Sequence, residues 1–343
     1  MSPLLSIVLP VHGVERFLPQ CLASLDGPQD GEVEVIAVDD LSPDGCGALL
    51  DAHAARDPRF KVLHLTENQG LGGARIAGMA EVTGRYVWFV DSDDWVPEGT
   101  LDALLAELRK EAAAEHPVDV LLTDFVHVYP GGATEPNPWG HVLRGSPLET
   151  GCRAVDHPAL FQSVMSVWNK VFRWDFLLGL GVEFGRGFYE DISVTYPALL
   201  TGRLRYLDRS CYNYRRGRPG AITATASPKH ADAFAQYDAI FATLDRPGND
   251  PGPAMRQLVF DRTVRQALTI YDTPGLIPAE LRADFFARVA AHFARHRPAG
   301  YRFPGGVRGV QYRLAARNSR IAYNELRRGG ALPGRLRKAL GKR

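Results

Sequence analysis

Three observations predict an α/β fold with a mostly parallel sheet flanked by helices, followed by a small helical domain. Apolar, strand-like runs alternate with helical stretches through the first third of the chain, the pattern of βαβ units. Each of those runs ends in polar or acidic residues. From about Lys229 the pattern changes to amphipathic helices separated by Pro and Gly. A chain of 343 residues can bury a large core and still carry an appendage.

The elements follow in order. Ser6–Val11, Val33–Val38, Phe60–Leu65 and Tyr86–Val90 read as strands, with helices near 14–25, 45–55 and 70–82 between them. The stretch 101–114 is helical, and 118–129 reads as a strand that stops at the turn Pro130-Gly131-Gly132. Residues 130–160, rich in Pro and Gly, suit a loop or flap on the acceptor side, and Ile192–Leu200 forms a helix. Four further helices are expected near 230–245, 253–272, 278–296 and 307–328, which divides the chain into 1–228, 229–329 and a basic tail, 330–343.

Charge and cysteine content narrow the classes. The net charge is +1, but residues 301–343 hold twelve Lys/Arg and one acid, Glu325, so this end is +11 and the remainder is −10. Such an end can lie on an anionic membrane or polymer, or be a solvated terminus. No nucleic-acid partner is expected. Cys21, Cys46, Cys152 and Cys211 are widely spaced, with no Cys-x-x-Cys, which argues for reduced thiols in a cytoplasm and against a zinc site or disulfide framework. No stretch is long and apolar enough to span a bilayer, so membrane contact is expected to be peripheral at most.

In open α/β sheets ligands sit beyond the carboxyl ends of the strands. Those ends are Pro10-Val11-His12, Asp39-Asp40, Glu67-Asn68-Gln69-Gly70 and Asp91-Ser92-Asp93-Asp94. The last is the most telling, because a buried strand seldom finishes in three carboxylates unless a cation waits there. Hard divalent ions such as Mg²⁺ or Mn²⁺ take one or two carboxylates and leave further positions to substrate phosphates. A helix-capping cluster would explain one acid, not three, and an EF-hand loop fails because Trp95 and Val96 occupy positions that need an oxygen ligand and a Gly.

Ser6-Ile-Val-Leu-Pro-Val-His12, Val38-Asp-Asp40, Asn68-x-Gly70 with Ala74-Arg75, and Asp91-Ser-Asp-Asp94 stand in one order and spacing. In this the chain resembles family 2 glycosyltransferases of GT-A fold, over roughly its first two-thirds, and most resembles bacterial enzymes of teichoic-acid and cell-wall polymer synthesis. The resemblance implies an inverting transferase that uses Mn²⁺ or Mg²⁺, a nucleotide-sugar donor (a UDP-sugar) and a polymer or glycan acceptor. It implies donor-nucleotide contacts at Pro10, His12, Asp40, Asn68, Arg75, Asp91 and Ser92, with Asp93 the direct metal ligand. Asp40 would accept a hydrogen bond from a uracil N–H, and Arg75 would reach base or phosphate.

The resemblance implies that the acid pair Glu190-Asp191, at the start of a helix, supplies the catalytic base, with Asp191 taking the acceptor hydroxyl's proton and Glu190 orienting the acceptor or Asp191. At a helix start such acids also suit the dipole. In Tyr212-Asn-Tyr-Arg215-Arg216-Gly-Arg218, at least one of Arg215, Arg216 and Thr223 is expected on the diphosphate. Trp168 and Lys170 are expected at the acceptor, although Trp168 suits a core equally. The rival reading is a non-catalytic nucleotide-sugar or polymer-binding module of a cell-wall synthesis complex. A nicotinamide dehydrogenase is not expected, since Pro10-Val-His-Gly-Val-Glu15 is not Gly-x-Gly-x-x-Gly. A nucleotidyltransferase would place its Gly-rich loop after strand one, whereas Gly70-Leu-Gly-Gly-Ala-Arg75 follows strand three.

Overall fold

The structure is a computed structural model and describes residues 2–27, 30–163, 165–218 and 225–329. Thr223 and the basic tail from residue 330 lie outside the described residues. The chain divides into two compact units, one of residues 1–219 with 242–251 and the other of residues 220–241 with 252–343.

In the first unit, β1 (Leu5–Val11), β2 (Val33–Asp39), β3 (Phe60–His64) and β4 (Tyr86–Phe89) alternate with α1 (Leu18–Ser24), α2 (Cys46–Ala54) and α3 (Gly70–Met79). Then come α4 (Thr100–Ala113), β5 (Val120–Val128), β6 (Thr134–Pro136), α5 (Gly140–Leu143), β7 (Cys152–Arg153), β8 (Lys170–Arg173), α6 (Trp174–Leu180), α7 (Ile192–Thr201) and β9 (Arg203–Arg215). The mixed sheet runs β3-β2-β1-β4-β8-β5-β9-β7, with β6 added to β5. The β1–β2, β1–β4 and β2–β3 pairs are parallel, while β8 runs antiparallel between β4 and β5. Register from Leu5↔Val33 to Val11↔Asp39, and from Val35↔Phe60 to Asp39↔His64, brings the carboxyl ends of the first four strands to one edge.

Every residue of β1 is buried, as is every residue of β4, which is why both are written as apolar runs, with Ser6 in β1 the one polar residue. Burying each such Val, Leu or Ile contributes about 1.5–3 kcal/mol. Gly78 lets α3 lie close on this layer, since a Cβ there would stand 2.5 Å from Val8 Cγ1. α1 begins four residues later than the pattern suggests, after a turn in which the Phe17 and Leu18 N–H groups donate to Val14 O. β8 and β9 are strands that the pattern does not announce, and the 130–160 stretch contains β6, α5 and β7 rather than loop alone.

The second unit contributes the helices α9 (Pro253–Asp272), α10 (Arg282–His296), α11 (Gly306–Ala316) and α12 (Arg320–Arg327); α8 (Ala233–Leu244) precedes them in the chain. The single helix expected at 307–328 is two, because Asn318 takes a left-handed conformation (φ 52°) that no helix continues through. Its core centres on His292, stacked on Phe260 at 5.6 Å and bonded through Nε2 to Thr263 Oγ1 at 2.9 Å. Burial pushes that imidazole down to about 3, so it is a neutral core residue. Among the described residues no helix is long and apolar enough to cross a membrane, and all four cysteines are free.

Candidate active site

The ends of β1, β2 and β3 are tied into one floor. The Asn68 side-chain amide donates to the Asp40 carbonyl at 3.0 Å, and His12 Nδ1 meets the same carbonyl at 2.9 Å and the Asn68 amide nitrogen at 3.1 Å. Asp40 is 2% exposed, and its Oδ1 accepts the Gln69 backbone N–H at 2.6 Å, which fixes the start of α3. The expected base-reading carboxylate is thus engaged with the protein's own backbone. Pro10 is buried within β1, opposite Val38. Beside this floor Asp39 holds His64 Nδ1 at 3.1 Å, and Asp51 holds the other ring nitrogen at 3.0 Å. These two hydrogen bonds push the His64 pKa up.

The acids beyond β4 have three different environments. The Asp91 backbone N–H donates to the Tyr212 hydroxyl at 3.0 Å, and Asp91 Oδ1 accepts from Arg75 Nη2 at 2.6 Å. Asp93 pairs with the Arg218 guanidinium, and burial above all pushes its carboxyl up. Asp94 is 1% exposed; its Oδ1 accepts the Arg215 N–H at 2.7 Å, and its Oδ2 is buried without a hydrogen bond. Burial, then Asp93, then Asp91, hold the Asp94 carboxyl well above the usual range. Ser92 is buried between them.

Arg75, expected at the base or phosphate, is instead 2% exposed and bridges two carboxylates, Asp91 and Glu190, with Nη1 2.5 Å from Glu190 Oε1. α3 comes close enough to allow this because residue 72 is glycine. A Cβ there would lie 1.9 Å from the Gly185 carbonyl oxygen. Just before Glu190, Tyr189 adopts a left-handed conformation (φ 62°) that side chains avoid and that costs about 1–3 kcal/mol. Its neighbours hold it there: the Gly185 N–H donates to Glu190 O at 3.2 Å, and Ser193 Oγ donates to the same carbonyl at 2.9 Å.

Asp191 is half-buried at the head of α7, and burial followed by the Glu190 charge pushes its carboxyl up to about 7. Lys170 is fully buried, with Nζ donating to Ser166 O at 2.5 Å and Asn169 Oδ1 at 2.7 Å. Burial brings it down to about 7, although Asp191 works in the other direction.

Two expected ligand contacts are structural. Trp168 is 5% exposed, stacks on Tyr212 at 4.5 Å and Tyr214 at 5.2 Å, and meets Phe125 edge-on at 4.8 Å. Trp88 Nε1 also donates to its carbonyl at 2.6 Å, so Trp168 belongs to the core and not to an acceptor wall. Arg215 lies over the rings of Phe17 and Trp95 at 4.8 and 4.6 Å and donates to Asp93 O and Gln20 Oε1, each at 2.7 Å. It is engaged with the protein and not aimed at a diphosphate. Arg216 rests on the Tyr214 ring at 5.4 Å, leaving Arg218 as the arginine of this cluster whose guanidinium pairs with a strand-end carboxylate, that of Asp93. Sequence reasoning missed Gln69, Tyr189, Tyr212 and the side-chain contact of Arg218. Only Arg218 carried a signal, as one of three clustered arginines.

A separate group, Asp26, His53 and Asp57, is the one set of such side chains among the described residues with ligand atoms within 4.8 Å of each other. It borders a cavity of about 460 Å³ where α2 ends and β3 begins, at the opposite edge of the sheet. Arg59 already forks the Asp57 carboxylate, with Nε at 3.0 Å and Nη2 at 2.5 Å, and Arg56 lines the same cavity, so this place is poor for a cation. The strand-end acids suit one better. Their carboxylates stand farther apart than that and two of them pair with Arg75 and Arg218, but Asp93 and Asp94 are driven above their usual range and Asp94 carries an orphaned buried oxygen, so they offer hard oxygen donors that a cation would relieve.

Residues 6–132 match the family model for glycosyl transferase family 2. The uncharacterized glycosyltransferase EpsJ of Bacillus subtilis is 28% identical over 226 residues, 65% of this chain and 64% of that protein. The putative teichuronic acid biosynthesis glycosyltransferase TuaG of the same organism is 31% identical over 113 residues, 33% of this chain and 45% of that protein. The chain therefore spans less than two-thirds of the length of these curated relatives. The crystal structure of S. aureus TarS in complex with UDP-GlcNAc superposes with a TM-score of 0.74 at 19% identity, covering 96% of this chain and 93% of that one. That likeness and the strand order above make the fold GT-A. Residues 6–132, with the part of the strand-end crevice they build, are thus similar to glycosyl transferase family 2.

Proposed function

We propose that the protein transfers a sugar from a nucleoside-diphosphate donor, a UDP-sugar, to a hydroxyl of a cell-wall glycopolymer, polysaccharide or related acceptor, with inversion at the anomeric carbon. The observation that carries this reading is Asp191, a half-buried carboxylate pushed up to about 7 and tied through Glu190 and Arg75 to the strand-end acids. A base with that value is ionised in a useful fraction near neutral pH and still accepts a proton readily. Its neighbour Glu190 is fixed by Arg75, so the pair presents one poised carboxylate and one orienting carboxylate.

His12, Asp40, Asn68, Pro10, Asp91 and Ser92 form the donor side of the proposed crevice. Asp93 would hold Mn²⁺ or Mg²⁺, which supplies neutralisation of the charge on the departing nucleoside diphosphate. In the described structure Arg218 pairs with Asp93, a contact that donor and cation would have to exchange for their own. Arg218 is then the guanidinium best placed to meet the diphosphate. The UDP-GlcNAc complex of TarS, which shares the fold, makes UDP-N-acetylhexosamines the first donors to try. The proposed working place is the cytoplasm, at the inner face of the membrane; the four free cysteines support a reducing compartment.

The test is a screen of nucleotide sugars for Mn²⁺-dependent UDP release, with and without polyol-phosphate or polysaccharide acceptors, for wild type and Asp93→Asn. Transfer by wild type and its loss in the variant are expected. UDP binding without turnover on any acceptor would favour a binding module.

A further inference from the structure

Arg75 occupies a position that a nucleotide-binding arginine would not. It is 2% exposed, its guanidinium faces the Phe184 ring at 5.2 Å, and its two terminal nitrogens reach carboxylates on opposite sides. Nη2 lies 2.6 Å from Asp91 Oδ1, beyond β4, and Nη1 lies 2.5 Å from Glu190 Oε1, before α7. Asp91 and Glu190 are 99 positions apart in the chain, and no other described side chain is hydrogen-bonded to both.

We propose that Arg75 is the positioning residue of the transfer reaction, its forked guanidinium locking the Glu190-Asp191 pair to the donor-side acid Asp91 instead of binding the donor. This rests on the reading of Asp191 as the base. A guanidinium suits the task because its planar fork makes two directed, charge-assisted bonds at once, whereas an ammonium is a single point charge. The site is built for that fork. Gly72 removes the one Cβ that would keep α3 off the 185–190 loop, and the strained Tyr189 backbone turns Glu190 toward it. The buried Glu190 carboxylate and the half-buried Asp91 carboxylate would otherwise stand without this compensation, which is costly above all for Glu190.

The charged groups facing Asp191 are Glu190, Arg75, Asp91 and Lys170. Arg75 and Lys170 favour the ionised form, while Glu190 and Asp91 oppose it. Weakening the guanidinium contact therefore leaves Asp191 holding its proton to higher pH. A residue that merely fills space would not move that titration.

The experiment compares wild type, Arg75→Lys and Glu190→Gln in three measurements. These are sugar transfer across pH, UDP affinity by calorimetry, and the Asp191 titration followed by carboxylate ¹³C NMR. For Arg75→Lys, kcat is expected to fall about 10²-fold, as for a misplacement of about 1 Å. The acid limb and the NMR titration should both move upward, by roughly one pH unit or more, and UDP affinity should stay within about threefold, a change well below 1.4 kcal/mol. Glu190→Gln breaks the same link from the other side and covers the case in which Arg75→Lys does not fold. Its kcat should also fall, while the Asp191 titration moves down with the loss of a like charge. A tenfold or larger loss of UDP affinity in Arg75→Lys with an unmoved Asp191 titration would overturn the proposal and return Arg75 to the donor. Wild-type kcat in both variants would overturn it as well. If wild type turned over no donor, the transferase reading would fall, and the NMR titration would still decide the role of Arg75.

Discussion

Replacing Gly72 with alanine sets two effects of opposite sign against each other. In a helix interior the change normally stabilises by about 1 kcal/mol, because alanine loses less backbone freedom. Here the new Cβ would stand 1.9 Å from the Gly185 carbonyl oxygen and 3.3 Å from Glu190 Cβ. Real contacts begin near 3.0 Å, so α3 and the 185–190 loop must separate by more than about 1 Å, and the obstacle is backbone, not a flexible side chain. Overpacking of this kind costs about 1–3 kcal/mol, which outweighs the propensity gain. The loop carries Glu190, hydrogen-bonded to Arg75 at 2.5 Å, so the same shift breaks the bridge to Asp91. Thermal unfolding should show a Tm lower by a few degrees, at about 2–4 °C per kcal/mol. Turnover should fall about 10²-fold, the usual result of misplacing a catalytic group by 1 Å. A Tm that rises with unchanged turnover would refute the reasoning, because propensity would then have won and the close approach would not matter.

Other outcomes follow from the same geometry. Because the Asp191 carboxyl is pushed up to about 7, kcat should rise with pH through that value, and Asp191→Asn should abolish the limb; a rate flat from pH 5.5 to 8.5 would contradict the assignment. The raised value also means that the folded state binds this proton more tightly than the unfolded chain does, so this group's contribution to stability falls as pH rises from about 4 to about 7. Asp191→Asn should accordingly melt higher than wild type at pH 8 and no higher at pH 4, as differential scanning fluorimetry would read. Arg215→Ala removes two ring contacts and two side-chain hydrogen bonds and should cost about 3 kcal/mol, whereas Arg218→Ala should leave Tm within about 2 °C of wild type while lowering turnover. Chelation with EDTA should halt UDP release, and Mn²⁺ should restore it; release that persists in EDTA would remove Asp93 from its assigned role.

The parallel half of the sheet was legible because β1, β2 and β4 are nearly buried throughout, and a strand covered on both faces needs a largely apolar run, broken here only by Ser6 in β1 and by Glu34 and Asp39 in β2. β9 was not, since its thirteen residues carry four arginines and alternate between buried and exposed positions at the far side of the sheet. The break between α11 and α12 depends on the conformation of one residue, Asn318, which periodicity does not record. In the site, the acids at strand ends and at the head of α7 could be located because carboxylates in those places are unusual or serve the helix dipole. The arginines could not be assigned from the chain alone. Arg75 meets Glu190 115 positions away, and Arg215 meets Gln20 195 positions away, so local spacing says nothing of either partner. Trp168 looks the same in sequence whether it lines an acceptor or stacks between Tyr212 and Phe125.

The transferase reading depends most on Asp191, and one comparison addresses it directly: UDP affinity and sugar transfer measured side by side for wild type and Asp191→Asn, at pH 8 with Mn²⁺. If Asp191 takes the acceptor proton, the variant should bind UDP within about threefold of wild type and lose transfer by about 10²–10⁴-fold. Transfer retained within about tenfold, a difference of only 1.4 kcal/mol, would contradict the account.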